Sequence, residues 1–301
     1  MNAVPGNFTD KITVGIPTFN RPDDLKQTLD CLLKQSYTNL EIIISDNCSS
    51  DSRVKEIMRT YAASDTRIVL YFQDKNIGIV KNFTFVLEKA TGGFFMWKSD
   101  DDKIEDVDFI SKLYTKLIET DSDFAFPDGF YLKNEANAGF ALKKVYSNCR
   151  TKMDYLRGYT TSFSCLEFYG LYNLSKFDKK SEMKFNDQVV CPDILYLPEL
   201  FLAHKVVFVP ETHYTFGHKP SIDGFKINLN IFKDRQFVMR HLIGNFAATE
   251  LLTPSERKEI VANLLQYYEA IINEQKSVSR FSRVKTEIKN KLKMLMGIGK
   301  T

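Results

Sequence analysis

Apolar and polar positions fall into short alternating blocks over the first hundred residues. Lys11-Ile12-Thr13-Val14-Gly15-Ile16-Pro17 is a β-branched run of buried-strand type, with Pro17 at its end. Asn20 is placed to cap the helix that follows, Pro22 sits near its first turn, and Leu25, Leu29, Leu32 and Leu33 give it one apolar face. Leu40-Glu41-Ile42-Ile43-Ile44-Ser45-Asp46 reads as a second strand closing on a polar cluster. A helix from about Asp51 to Ala62 and a third strand from Arg67 to Phe72 come next. Gly78 opens another helix that stops near Gly92-Gly93, and Phe94-Phe95-Met96-Trp97 is a fourth strand. Strand–helix alternation of this kind predicts a parallel sheet with right-handed crossovers. Pro17–Asn20, Asp46–Ser49 and Asp100–Asp102 then lie at carboxyl ends of strands, along one edge.

Beyond residue 105 the pattern is looser. Phe109 to Thr120 has helical spacing, Phe124-Ala125-Phe126 reads as a strand, and Asn134-Glu135-Ala136-Asn137 reads as a turn. Val189–Ala203 is expected to be helical in part, and Val206–Val209 to be a strand closed by Pro210. Thr253-Pro254-Ser255-Glu256 is a capping box with Pro at the first helical position, heading a helix through Ile260, Leu264, Tyr268 and Ile272. The expected division is 1–125, 126–225, a helical extension 226–275 and a basic tail 276–301.

Composition excludes several classes. At 301 residues, 44% hydrophobic and 26% charged, the chain has ample apolar material for a core. A net charge of +3 gives no polyanion footprint, so nucleic acid is not an expected partner. No basic leader followed by an apolar stretch is visible at Met1–Gly6, and no run of about 18 apolar residues occurs. The five cysteines, Cys31, Cys48, Cys149, Cys165 and Cys191, are scattered without a Cys-x-x-Cys pair, which suits a reducing cytoplasm.

The chemistry concentrates at Trp97-Lys98-Ser99-Asp100-Asp101-Asp102. Three adjacent carboxylates behind a strand repel one another, and a divalent cation carrying phosphate is a natural shared partner. The plain alternative is an acidic turn before a helix. Phe19 follows a strand end and could stack on a base or pack in the core. Asp46 is an acceptor-only group that could take an imide N–H, or cap the helix after Asn47.

The ordered set Ile16-Pro17-Thr18-Phe19-Asn20-Arg21-Pro22, Gln35-Ser36-Tyr37 through Ser45-Asp46-Asn47, Asn76-Ile77-Gly78, Asn82, Ala90-Thr91-Gly92-Gly93 and Ser99-Asp100-Asp101-Asp102 resembles a family-2 glycosyltransferase of the GT-A fold. The likeness is close over 11–105 and weak after about 125. It implies an α/β architecture, a Rossmann-like, mainly parallel mixed sheet flanked by helices, with a C-terminal helical extension. It also implies inverting transfer of a sugar from a nucleoside diphosphate, UDP or dTDP, with Mg²⁺ or Mn²⁺ as cofactor. Nucleotide-sugar contacts carry over to Pro17, Thr18, Phe19, Asn20, Asp46, Lys81, Ser99, Asp100 and Asp101, although Lys81 also fits an exposed helix lysine. Metal ligation carries over to Asp100, Asp101 and Asp102, with the register open by one residue because Lys98 stands where the family carries the first Asp. His218 and Lys219, on a loop that closes over diphosphate in similar enzymes, are further candidates; the metal set thus includes His218.

Inversion needs a base for the acceptor hydroxyl. Asp193, in Cys191-Pro192-Asp193-Ile194-Leu195, is the best match to the family's carboxylate, with Pro192 replacing its Glu; Asp187 and Glu199 are runners-up, and a helix-start residue is the plain reading of Asp193. The tail carries Lys276, Arg280, Arg283, Lys285, Lys289, Lys291, Lys293 and Lys300 against Glu287, with Val278, Phe281, Val284, Ile288, Leu292 and Leu295 on one helical face. That pattern suits an anionic membrane surface, or a solvated helix packed on the body. The resulting expectation is a cytoplasmic enzyme, peripheral at the inner face of the cytoplasmic membrane. It would act on a glycan or lipid-linked glycan in bacterial surface polysaccharide assembly. A nucleotidyltransferase lacks its Gly-rich phosphate loop here, and an inactive sugar-nucleotide-binding scaffold is the non-enzymatic alternative.

Overall fold

The computed structural model describes residues 9–131, 142–162, 165–179, 182–183, 185, 193–216 and 229–274. Four strands, β1 (Ile12–Thr18), β2 (Leu40–Asp46), β3 (Ile68–Phe72) and β4 (Phe94–Trp97), alternate with helices α1 (Pro22–Leu32), α2 (Ser52–Ser64) and α3 (Ile79–Lys89). Then come α4 (Phe109–Glu119), β5 (Phe124–Tyr131), α5 (Lys143–Tyr146), α6 (Lys152–Ser162) and β6 (Leu171–Asn173). The chain continues through α7 (Asp193–Ala203), β7 (Val206–Phe216), α8 (Leu229–Ala248) and α9 (Pro254–Glu274). The seven strands form one sheet in the order β3-β2-β1-β4-β6-β5-β7. β1 pairs in parallel with β2 and β4, and β2 with β3. β6 is antiparallel to both β4 and β5, while β5 and β7 run parallel. The sheet is therefore mixed but mainly parallel, as expected.

Strand parity divides the core. Ile12, Val14, Ile16, Ile42, Ile44, Phe94 and Met96 face α1, α2 and α4. Ile43, Phe95 and Trp97 face α3 and the helices after β5. With both faces covered, every residue of β1 and of β4 is buried, which explains why these strands read as continuous apolar runs. The second face is dense in aromatic rings: Trp97 stacks on Phe168 at 4.6 Å and meets Phe95 edge-on at 4.8 Å.

Three local expectations change. Asn20 does not cap α1, whose first turn follows Arg21 with no side-chain cap. Asn20 instead takes a left-handed backbone, φ 55°, a conformation its short amide tolerates. Its side-chain oxygen accepts the N–H groups of Ser50 (2.8 Å) and Asp51 (3.2 Å), so it ties the end of β1 to the loop after β2. Pro210 does not close β7. The strand runs on to Phe216 through a bulge, where Val209 faces Pro127 and His213 faces Asp128, and Pro210 sits among the looped-out residues whose ladder bonds are broken anyway. β6, only three residues long, is a strand that the sequence pattern does not show. Gly78 precedes α3 at φ 86°, a region closed to most side chains. Among the described residues no helix is long and apolar enough to cross a membrane. The turn expected at 134–137 and the basic tail lie outside them.

Candidate donor site at the carboxyl edge of the sheet

The carboxyl ends of β1, β2 and β4 meet through backbone bonds. Asn47 N–H donates to the Thr18 carbonyl (2.9 Å), Gln73 N–H to the Asp46 carbonyl (2.9 Å), and Lys98 N–H to the Gly15 carbonyl (3.0 Å). Side chains brace the same edge. Asn82 on α3 donates to the Ser45 carbonyl (2.9 Å) and accepts from the Ser45 hydroxyl (2.6 Å). Asn47 accepts from Ile77 N–H (2.8 Å), which fixes the Asn76-Ile77-Gly78 loop beside it. These bonds tie the loops after β1, β2 and β3 to one another.

Asp46 is wholly buried at the end of β2. One carboxylate oxygen accepts the Ser49 N–H at 2.9 Å, and the other has no hydrogen-bond partner among the described residues. A buried acceptor left unmade costs about 1–3 kcal/mol. Phe19, one residue beyond β1, is 41% exposed. Core packing is thereby excluded for its ring, and Asp46 does not cap α2, whose start is held by Asp51 accepting from Arg53 N–H.

Each aspartate of the acidic triplet has polar partners within the chain, and Asp100 and Asp101 share Arg21. Asp100 is buried and accepts from the Thr18 hydroxyl (2.7 Å) and from Arg21 Nη1 (2.9 Å). Asp101, half-buried, accepts from the Ser99 hydroxyl (2.5 Å) and lies 2.8 Å from the same Arg21 nitrogen. Asp102, buried, accepts from the Tyr214 hydroxyl (3.0 Å). Burial pushes the Asp100 carboxyl above the usual carboxylate range, with Arg21 opposing. Arg21 itself is held above its ordinary value because the Asp100 and Asp101 charges outweigh the effect of its own burial. Among the described residues, no group of three or more His, Cys, Asp and Glu is placed to hold a metal ion. A diphosphate-borne Mg²⁺ or Mn²⁺ needs only one or two protein carboxylates. Asp101, the member with solvent access, fits that role.

Lys98, which departs from the expected acid, is fully buried beneath the triplet. Its ammonium donates to the carbonyls of Ser99 and Asp102, both at 2.7 Å, and to the Thr28 hydroxyl at 3.2 Å. Thr28 on α1 passes the contact on to the Asp100 carbonyl at 3.1 Å. Burial lowers the lysine's pKa, and the Asp102, Asp101 and Asp100 charges oppose this. The residue is thus an internal strut for the acidic loop. Sequence reasoning missed Arg21, Thr28 and Tyr214 as parts of the site.

On the far side of the triplet, Tyr169 stacks on Tyr214 at 4.9 Å. Burial raises the Tyr169 hydroxyl pKa well above its ordinary value, and after it the charges of Asp102, Asp193 and Asp101. Asp193 is the first residue of α7. Glu199 is exposed and accepts from Asn245 of α8 (2.7 Å). Lys81 is exposed on α3. Asp187, His218 and Lys219 lie outside the described residues.

Residues 13–179 match the sequence profile described as "Glycosyl transferase family 2". The chain belongs to glycosyl transferase family 2. It is 28% identical over 218 residues to glycosyltransferase GlyA of Streptococcus pneumoniae, covering 69% of this chain and 30% of GlyA. It is 29% identical over 203 residues to the GalNAc(5)-diNAcBac-PP-undecaprenol beta-1,3-glucosyltransferase of Campylobacter jejuni, covering 65% of this chain and 62% of that one. The chain spans less than half the length of GlyA and of other relatives it matches. Among solved structures, S. aureus TarS 1-349 in complex with UDP-GlcNAc superposes with a TM-score of 0.69 at 17% identity, covering 85% of this chain and 71% of that one. That likeness establishes a GT-A-type fold for this family-2 chain.

Proposed function

We propose that this protein transfers a sugar from a nucleoside diphosphate with a uracil or thymine base to an acceptor hydroxyl, with inversion. The observation that carries the reading is the buried, half-satisfied Asp46 carboxylate beside the exposed Phe19 ring. Uracil and thymine present one imide N–H, the donor that this acceptor lacks, and a flat face for the phenyl ring. Pro17, Thr18 and Asn20 lie at or just past the end of β1; on this reading Ser99, Asp100 and Asp101 serve the diphosphate and ribose, and Lys81, exposed on α3, the nucleotide.

A divalent Mg²⁺ or Mn²⁺ held by Asp101, with Asp100 behind it, would neutralise the leaving diphosphate. Asp102 serves this loop through Tyr214 rather than as a ligand. Asp193 takes the acceptor proton. Its place at the start of α7 favours an anion there. A single-step displacement then leaves the sugar on the acceptor with inverted anomeric configuration.

A lipid-linked glycan of a bacterial surface polysaccharide is the proposed acceptor, supported by the likeness to the C. jejuni enzyme, whose name includes an undecaprenol-linked substrate. The basic apolar-striped tail supports peripheral contact with anionic lipid at the cytoplasmic face. The test is a panel of UDP-, dTDP-, GDP- and CMP-sugars scored by thermal stabilisation and by hydrolysis with and without Mn²⁺. Stabilisation confined to UDP or dTDP donors is expected; a preference for GDP or CMP donors would overturn the base assignment.

A further inference from the structure

Resting on the donor-site reading above, we propose that Arg21 is a protein-borne cation of the diphosphate subsite. It holds Asp100 and Asp101 together and offers its remaining donors to the phosphates. Arg21 meets both carboxylates through one nitrogen, Nη1, at 2.9 and 2.8 Å. Among the described residues, its Nε and Nη2 donate to no protein acceptor. The side chain is 39% exposed, so part of it faces solvent. A guanidinium is a planar fork whose free edge matches two phosphate oxygens, as a point-charge ammonium cannot.

Its position fixes the role. Arg21 lies between the end of β1 and the first turn of α1, three residues past Thr18, whose hydroxyl also holds Asp100. The guanidinium therefore sits between the β1 and β4 ends, where the triplet begins. Lys98 is a cation of the same loop, but it is fully buried and its three donors are spent on Ser99, Asp102 and Thr28. Of the two cations, only Arg21 can reach a ligand. Neutralising two adjacent carboxylates from within also lowers the demand of the empty loop for a metal ion. Metal and diphosphate should then bind together rather than metal first.

The test is calorimetric titration of UDP, inorganic pyrophosphate and uridine into the natural protein, Arg21→Gln and Arg21→Lys, each in EDTA and with Mn²⁺. Mn²⁺ binding without nucleotide is followed by the paramagnetic signal of free Mn²⁺, and thermal unfolding checks that each variant is folded. In EDTA, Arg21→Gln should weaken UDP and pyrophosphate binding roughly ten- to a hundred-fold, the worth of lost charge-assisted hydrogen bonds. Uridine binding should not change, and Arg21→Lys should recover only part of the loss. Mn²⁺ alone should bind Arg21→Gln more tightly than the natural protein, because two carboxylates lose their counter-charge. Equal UDP affinity in EDTA for the natural protein and Arg21→Gln, or an equal loss for uridine, would overturn the role of Arg21. Failure of the natural protein to bind UDP or uridine in either condition would instead overturn the donor-site reading, and this inference with it.

Discussion

The Lys98 ammonium donates to the Asp102 carbonyl at 2.7 Å, so the acidic loop is folded over a buried cation four residues upstream in the chain. Removing that cation leaves two buried carbonyls and the Thr28 hydroxyl short of a donor. Leaving such buried groups unsatisfied costs roughly 1–3 kcal/mol. Lys98→Met is expected to lower stability by about that amount in urea unfolding. A loss below about 1 kcal/mol would mean that the loop is held by other contacts.

Asp101 and Asp100 should separate in their effects. Asp101→Asn keeps a side-chain oxygen for Ser99, and the residue is partly exposed. Turnover should fall to background while thermal unfolding stays close to that of the natural protein. Asp100→Asn disturbs a buried group bonded to Thr18 and Arg21, so it should lose stability as well as turnover. Full turnover of Asp101→Asn, or full turnover in EDTA, would contradict the metal-bearing role given to Asp101.

Asp193→Asn removes the proposed proton acceptor while preserving shape. Turnover should drop roughly 10²–10⁴-fold with little change in donor affinity. Near-normal kcat would move the role elsewhere in the chain, with Asp187 and Glu199 the carboxylates to test next.

Acid sensitivity should arise partly at Glu41. Its partial burial acts to raise its pKa, but the hydroxyls of Thr13 and Thr91 and the Thr91 N–H outweigh that and hold it below the ordinary glutamate range. The folded-state pKa is thus depressed. Its contribution to stability is complete above the unfolded value, about 4.3, and fades as pH falls through the folded one. The natural protein should lose stability relative to Glu41→Gln as pH is lowered from 6 to 3. Parallel stability curves for the two would remove Glu41 from the account.

The sheet was legible where strands are buried on both faces. β1, β2 and β4 are near-continuous apolar runs, and their carboxyl ends carry the polar clusters that mark the site. β6 was not legible, because three residues cannot display a period and its place is set by partners on either side. Pro210 misled because a proline ends a regular strand but is tolerated in a bulge. At the site, three adjacent acids announced a charged function, yet not their partners. Like-charge repulsion demands a cation without saying which, and the chain supplies Arg21 and Lys98 from within. The stacking of Tyr169 on Tyr214 behind Asp102 was not legible either, because the packing of β7 against the turn before β6 brings the two rings together.

The most direct test of the nucleotide-site account is the UDP and CDP affinity of Asp46→Asn. One amide oxygen can still accept from Ser49, while an NH₂ group replaces the unpartnered oxygen. An acceptor for an imide N–H then becomes a donor, suited to the unprotonated ring nitrogen of cytosine. UDP binding should weaken by roughly 1.5–3 kcal/mol, and the preference for UDP over CDP should shrink or reverse. Unchanged UDP affinity, with UDP still preferred over CDP to the same degree, would contradict the assignment of the base to Asp46.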